Sequence, residues 1–191
     1  MQPVPILIVG PSGVGKSAVI DRILGRFPSI EAYKTTTTRP PRGNETKYHF
    51  VDRQEFARLI QADELLEWAE VHGNLYGVQR THIQSIIDRG KWPIALNGID
   101  VQGVVTYRQQ YPDLLAIFLA FDSLDQLAER LRTTRPDMSE AGIAVRRATA
   151  ESEMAAVSDF DHVIVNHYGQ LDRTVDRVAA LIEQTLGLHQ E

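Results

Sequence analysis

Cysteine is absent from this chain, and with it go disulfides, thiolate metal sites and cysteine nucleophiles. The six histidines show neither H-x-x-x-H nor H-E-x-x-H spacing, so none of them is paired one helical turn apart as a zinc site on a helix requires. An excess of positive charge is missing too. Twenty Lys and Arg against 25 Asp and Glu leave a net charge of -5, whereas a protein that grips a nucleic-acid backbone needs a basic face. No apolar run approaches the roughly 18 residues that cross a bilayer, and Met1 leads almost at once into a strand-like segment rather than a charged and apolar leader. The expectation is a cytoplasmic protein with no nucleic-acid partner, no membrane partner and no obligatory protein partner. Its 191 residues, 43% of them hydrophobic, suffice for one domain, or a core with insertions.

What the chain does have is a glycine-rich turn in a telling place. Gly10-Pro11-Ser12-Gly13-Val14-Gly15-Lys16-Ser17 fits G-x-x-x-x-G-K-[ST] in full and follows the apolar run Val4 to Val9. Glycines in such a loop let successive N–H groups point inward as an anion nest, and the following helix adds the positive end of its dipole. Lys16 is then placed to reach the β- and γ-phosphates of a nucleotide, and the Ser17 hydroxyl to ligate Mg²⁺.

Short apolar runs at Pro5–Val9, Ile94–Leu96, Leu114–Phe121 and Val163–Val165 alternate with helical periodicity, which predicts a parallel sheet with crossover helices. The expected helices are Lys16–Arg26, Arg53–Gln61, Thr81–Arg89, Val101–Gln110, Ser123–Arg132, Glu140–Ser158 and Leu171–Leu186. Asp52 reads as an N-cap with Glu55 three residues on. Tyr33–Thr38 and Tyr48–Val51 look like strands outside the alternation, so Lys34 to about Trp92 reads as an insertion beside the sheet. Thr133–Glu140 is a polar, proline-containing break that reads as a mobile loop.

The insertion holds Thr35-Thr36-Thr37-Thr38-Arg39-Pro40-Pro41-Arg42, Glu45, Tyr48-His49-Phe50-Val51, Glu67-Trp68-Ala69 and Gly73-Asn74-Leu75-Tyr76-Gly77. Arg39 and Arg42 offer forked donors for a phosphate monoester, and Tyr48 and Tyr76 add hydroxyls on rigid rings. Glu67, an acceptor only, suits two adjacent N–H donors on a purine edge. Singly, each residue has an ordinary structural reading; together they describe an acceptor site.

At this point the chain resembles the guanylate kinases, which move the γ-phosphoryl group of ATP to GMP. The likeness covers nearly the full length through segments in the family's order: the phosphate loop, T-T-R-x-P-R, Y-x-F-V, E-W-A, G-N-x-Y-G, I-D-x-Q-G and V-I-V-N. It implies an α/β fold with a P-loop NTPase core at 1–33 plus 93–191, an inserted GMP-binding subdomain at 34–92 and a lid at about 130–147. By the same likeness Gly10, Pro11, Ser12, Gly13, Val14, Gly15, Lys16, Ser17 and Asn166 hold ATP, with Ser17 on Mg²⁺. Thr35, Glu67 and Asp100 contact guanine, while Arg39, Arg42, Tyr48 and Tyr76 hold the GMP phosphate. Lys16, Arg42, Arg135 and Arg146 are the implied catalytic set, and Arg130 is a further lid candidate. Arg147 reads as a surface charge.

The chain departs from the family at Asn97-Gly98-Ile99-Asp100, where Gly98 stands in place of a carboxylate, at Val78 in place of a hydroxyl residue, and at Pro136 in place of a glycine. Thr35 replaces a serine and keeps its hydroxyl, and the loop from Glu45 to Tyr48 is short. Two related readings stand beside the first: a sugar-phosphate kinase acting on ribose 1,5-bisphosphate, whose members share the N-G pair, and a non-catalytic guanylate-kinase-like binding domain. The intact Gly15-Lys16-Ser17 and the base-binding set favour the GMP reading over both.

Overall fold

The computed structural model describes residues 2–188 apart from 42, 44, 72, 97–100, 135–137, 156, 158, 159 and 161. Its elements follow as β1 (Ile6–Val9), α1 (Lys16–Arg26), β2 (Ile30–Tyr33), β3 (Thr35–Thr37), β4 (Tyr48–Phe50), α2 (Arg53–Gln61), β5 (Leu65–Val71) and β6 (Asn74–Gln79). Then come α3 (Arg80–Asp88), β7 (Trp92–Ala95), α4 (Val101–Gln110), β8 (Leu115–Ala120), α5 (Leu124–Thr134), α6 (Glu140–Ala155), β9 (His162–Val165) and α7 (Leu171–Leu186). Five strands form a parallel sheet in the order β2-β7-β1-β8-β9. A second sheet runs β4-β3-β6-β5, with β3 parallel to β4 and antiparallel pairing elsewhere.

The unbroken apolar runs of β1 and β8 follow from a sheet covered on both faces. Ile6 and Ile8 join the layer containing Val19, Ile23, Val178 and Ile182, whereas Leu7 and Val9 join the layer with Ile83, Ile86, Val104 and Tyr107. In β8, Ile117 and Leu119 fall in the first layer and Ala116, Phe118 and Ala120 in the second. All strands of this sheet point the same way, so the phosphate loop after β1, Asp122 after β8 and Asn166 after β9 gather at one edge, where open α/β sheets bind ligands.

One expected strand divides in two. Tyr33–Thr38 breaks at Lys34: Tyr33 pairs with Ala95 in the parallel sheet, and Thr35 pairs with Tyr48 in the other. β5 and β6 were not expected as strands, nor were the first residues of β2. In β5 a register shift between Leu65 and Glu67 spoils the two-residue alternation that marks a strand in sequence. Helix limits move slightly: α3 starts one residue early, and α5 runs on to Thr134 into the expected Thr133–Glu140 loop; α6 covers Glu140–Ala155, with 156 and 158 of the expected Glu140–Ser158 helix outside the described residues. The expected N-cap holds, with the Asp52 carboxylate accepting from the Glu55 N–H at 2.7 Å, while the Glu55 carboxylate pairs with Arg58.

α2 buries Phe56 and Leu59 with Leu65, Val51 and Leu75 on one face of the second sheet. The opposite face carries Val78, which is 1% exposed and belongs to the same buried layer as Tyr33, Ile83 and Tyr107. That face therefore looks toward the parallel sheet.

Candidate active site

The phosphate loop is shaped by three left-handed glycines: Gly10 at φ 136°, Gly13 at 87° and Gly15 at 105°. A Cβ on Gly10 would stand 2.2 Å from the Leu119 carbonyl oxygen, and one on Gly15 would stand 2.6 Å from Asn166 Nδ2. Glycine at these two positions is thus required by space as well as by φ. Lys16 Nζ donates to the Gly10 carbonyl and, at 3.0 Å, to that of Pro11, so the ammonium lies across the mouth of the loop. Burial pulls the Lys16 pKa down to about 8, and the nearby charge of Glu153 on α6 acts in the opposite sense. Ser17 follows in the first turn of α1 and is exposed.

Three residues distant in sequence converge on this loop. Arg146 of α6 donates from Nη1 to Ser12 Oγ at 2.6 Å, which ties α6 to the phosphate loop. Arg130 of α5 donates to the Val14 carbonyl at 3.3 Å and to that of Asn166 at 3.0 Å. Its guanidinium lies 5.6 Å from the Phe121 ring centre and 5.3 Å from that of Tyr168, and burial lowers its pKa from the ordinary arginine value. Asn166 is 4% exposed; its Nδ2 donates to the Val14 carbonyl at 2.6 Å, and its Oδ1 accepts from the Thr174 hydroxyl at 2.7 Å. The Asn166 amide thus clamps the loop itself, between β9 and α7. Arg147 pairs with Asp125 and Glu151 at the surface, as expected of it.

Register gathers the residues expected at the acceptor. Thr35 stands opposite Tyr48, and Thr37 opposite both Phe50 and Tyr76. Ala69 stands opposite Tyr76, and Glu67 opposite Val78. Directly opposed residues share a face, and so do residues two apart on a strand. Thr35, Tyr48, Tyr76 and Glu67 therefore lie on one face of the second sheet, and the Tyr48 and Tyr76 rings meet edge to face at 6.3 Å. Arg39 covers this face: its guanidinium sits 5.0 Å over the Tyr48 ring and 5.7 Å over Phe50, and pairs with Glu45 at 2.8 Å. Its side chain is only 10% exposed, and the Glu45 bond raises its pKa. Burial raises the Tyr48 pKa, with Arg39 opposing.

Not all the threonines are available to a ligand. Thr36 Oγ1 accepts from Gln79, Thr37 Oγ1 donates to the Leu75 carbonyl at 2.8 Å, and Thr38 Oγ1 accepts from the Leu75 N–H at 2.9 Å. Only Thr35 keeps its hydroxyl out of these sheet contacts. A cavity of about 410 Å³ opens between β5 and α4, with Glu67, Ala69, Arg80, Gly103 and Thr106 in its wall. Arg42, Asp100 and Arg135 lie outside the described residues, as do Gly98 and Pro136.

A nucleotide loop at the edge of a parallel sheet thus stands with a hydroxyl- and arginine-lined face on a second sheet. The guanylate kinase family model matches residues 2–185. This chain belongs to the guanylate kinase family. The guanylate kinase of Synechococcus sp. (strain JA-3-3Ab) is 39% identical over 180 residues, which cover 93% of this chain and 81% of that protein. That of Thermobifida fusca (strain YX) is 40% identical over 185 residues, covering 95% and 92%. The crystal structure of guanylate kinase from Anaplasma phagocytophilum superposes with a TM-score of 0.71 at 28% identity, covering 96% of this chain and 86% of that one. The mixed α/β fold, with its parallel sheet and flanking helices, is accordingly the P-loop NTPase fold of a guanylate kinase.

Within this guanylate kinase, sequence reasoning missed the contact of Ser12 with Arg146, the charge of Glu153 beside Lys16 and the loop-holding role of Arg130. None has a local sequence signal, because each contact joins segments more than 100 residues apart.

Proposed function

We infer that this chain transfers the γ-phosphoryl group of ATP to GMP, and to dGMP, as a cytoplasmic enzyme of purine nucleotide metabolism. The observation that carries the reading is the shared face of Thr35, Tyr48, Glu67 and Tyr76, in one chain with a phosphate loop that Arg146 reaches. In this reading, residues 34–92 bind the acceptor, residues about 130–147 form the lid, and the rest is the kinase core.

Gly10, Pro11, Ser12, Gly13, Val14 and Gly15 cradle the ATP phosphates through backbone N–H groups, and Lys16 neutralises charge on the β- and γ-phosphates. Asn166 and Arg130 hold the loop in shape from behind, so the nest is preorganised rather than assembled on binding. Ser17 fits Mg²⁺ because one hydroxyl suffices for an ion that takes its other ligands from phosphates and water. Bound there, the ion supplies charge neutralisation between the β- and γ-phosphates.

At the acceptor, Glu67, Thr35 and Asp100 read the guanine edge, while Arg39, Arg42, Tyr48 and Tyr76 hold the monophosphate. Arg39 exchanges its Glu45 partner for phosphate oxygens, a forked charge-assisted contact of the same kind. Arg135 and Arg146 close over the transferring group, where charge spreads over equatorial oxygens and catalysis is largely positioning and electrostatics. An assay of ADP formation across GMP, dGMP, AMP, UMP and ribose 1,5-bisphosphate tests the reading. Turnover on GMP and dGMP alone is expected; turnover on the ribose bisphosphate instead of GMP overturns it.

A further inference from the structure

In the reading above, the loop holds phosphates through backbone N–H groups and Lys16, and needs no side chain at position 12. A serine stands there, and its Oγ accepts from Arg146 Nη1 at 2.6 Å across 134 residues of sequence. Backbone strain does not explain the choice, because Asp63 is the only non-glycine residue with a positive φ among those described. Alanine fits the same backbone.

Packing holds α6 to the loop without this bond. Ile143 and Ala150, 4% and 1% exposed, lie in the same buried layer as Val14 of the loop and Leu127 and Leu131 of α5. A Cβ on Gly13 would stand 3.1 Å from Leu127 Cδ1 and 3.6 Å from Leu131 Cδ2, so α5 also lies directly on the loop. Arg146 comes three residues after Ile143 and four before Ala150, which puts it on the same face of the helix. Its neighbours Val145 and Arg147 are exposed, whereas Arg146 is half-buried. The helix thus brings the arginine to the loop, and the Ser12 bond fixes where its guanidinium ends. A guanidinium carries five N–H donors, so one bond to Ser12 leaves the others for phosphoryl oxygens.

We propose that the Ser12 hydroxyl is a positioning group for phosphoryl transfer, holding the Arg146 guanidinium at the phosphate loop before the substrates arrive. The proposal rests on the reading of Arg146 as an arginine that closes over the transferring group. A long side chain loses rotamer freedom when it is fixed, and here the fold fixes it ahead of the reaction. Ser12 acts through Arg146, so its loss is felt in the transition state more than in either ground state.

The test compares wild type with Ser12→Ala, Ser12→Thr, Arg146→Ala and the double variant Ser12→Ala/Arg146→Ala. Readouts are kcat on GMP, KM for ATP and for GMP, and hydrogen exchange of the α6 amides in the nucleotide-free protein. Ser12→Ala is expected to lower kcat about 10-fold, the effect of one hydrogen bond to a charged group, with both Michaelis constants within about 2-fold. Ser12→Thr keeps a hydroxyl and restores most of the rate. In the Arg146→Ala background, Ser12→Ala costs no more than about 2-fold, because the group it positions is gone. Exchange of α6 stays as in wild type, since Ile143 and Ala150 hold the helix. Wild-type kcat in Ser12→Ala, while Arg146→Ala loses about 100-fold, overturns the proposal and leaves the reading of Arg146 standing. An equal loss in both backgrounds, a raised KM for ATP at unchanged kcat, or faster α6 exchange overturns it as well. The last two mark a direct phosphate contact and a docking contact. Wild-type kcat in Arg146→Ala overturns that reading and the proposal with it. Ser12→Gly is a second hydroxyl-free variant and carries the test if Ser12→Ala does not fold.

Discussion

Lys16 carries the most consequential single charge in the chain, and its environment opposes that charge. Burial holds its pKa at about 8, so a large part of the population is neutral just above pH 8. A bound triphosphate favours the ammonium and raises this pKa, so ATP binding takes up a proton between the lower and the higher value. Calorimetry at pH 8.5 in two buffers of different ionisation enthalpy is expected to show that uptake. At pH 6.5 Lys16 is charged in both states and contributes none, and Lys16→Met removes the uptake at pH 8.5. Gly10 is the second decisive residue. Gly10→Ala places a Cβ 2.2 Å from the Leu119 carbonyl oxygen at φ 136°, a clash of the new side-chain atom with the backbone of β8. The expected loss is at least about 3 kcal/mol, seen as insoluble protein or a collapsed melting temperature.

Among the elements, α2 and α6 show how a helix serves a site it does not contain. α2 starts at an Asp52 cap and braces the face of the second sheet opposite Thr35, Tyr48, Glu67 and Tyr76. Asp52→Ala leaves the Glu55 N–H without its acceptor and is expected to cost about 1 kcal/mol, lowering the melting temperature by about 2–4 °C. An unchanged thermal transition excludes the cap as a stabilising contact. α6 delivers Arg146 to Ser12. On the proposed role of Arg146, whose contact would strengthen as phosphoryl charge develops, Arg146→Ala is expected to lower kcat by about 10²-fold or more while both Michaelis constants stay within a few fold. A raised KM for ATP at unchanged kcat assigns Arg146 to ground-state binding.

At the scale of the whole molecule, the two sheets share a buried layer, in which Leu66 and Val78 of the second meet Tyr33, Ile83 and Tyr107, and charged contacts at the surface add to it. One tie is the ion pair of Lys47, just before β4, with Asp21 of α1, at 3.1 Å between side chains 38% and 56% exposed. Exposed pairs contribute at most about 1 kcal/mol, so this one adjusts how the second sheet sits against α1 without locking it. Lys47→Glu is expected to raise KM for GMP by up to about 5-fold with KM for ATP unchanged, and a compensating Asp21→Lys restores it. The effect fades as salt is raised. Equal changes for both nucleotides remove the pair from any role in acceptor binding.

Sequence by itself determined the parts that depend on neighbours along the chain. The phosphate loop is legible because its need for glycine is a backbone requirement met within six residues, Gly10 to Gly15. Helices such as α2 and α7 are legible because amphipathic period and the Asp52 cap are local. The chain order of motifs identified the family before any contact was known. Tertiary structure decided the rest. Nothing local to Lys34 says that Tyr33 and Thr35 belong to different sheets, or that Thr36, Thr37 and Thr38 serve the sheet while Thr35 does not. The common face of Tyr48, Glu67 and Tyr76 is a matter of register between four strands, and one residue of slip would turn Glu67 away. Asn166 reads in sequence as a nucleotide contact, and only the packed chain shows that its amide also bonds Val14 and Thr174. Tyr33 and Tyr107 carry no motif at all, yet Tyr33 Oη donates to Tyr107 Oη at 3.0 Å. The physical reason is common to these cases: backbone conformation and periodicity follow from adjacent residues, whereas the partner of a buried polar group is whatever the packed chain brings within 3 Å of it.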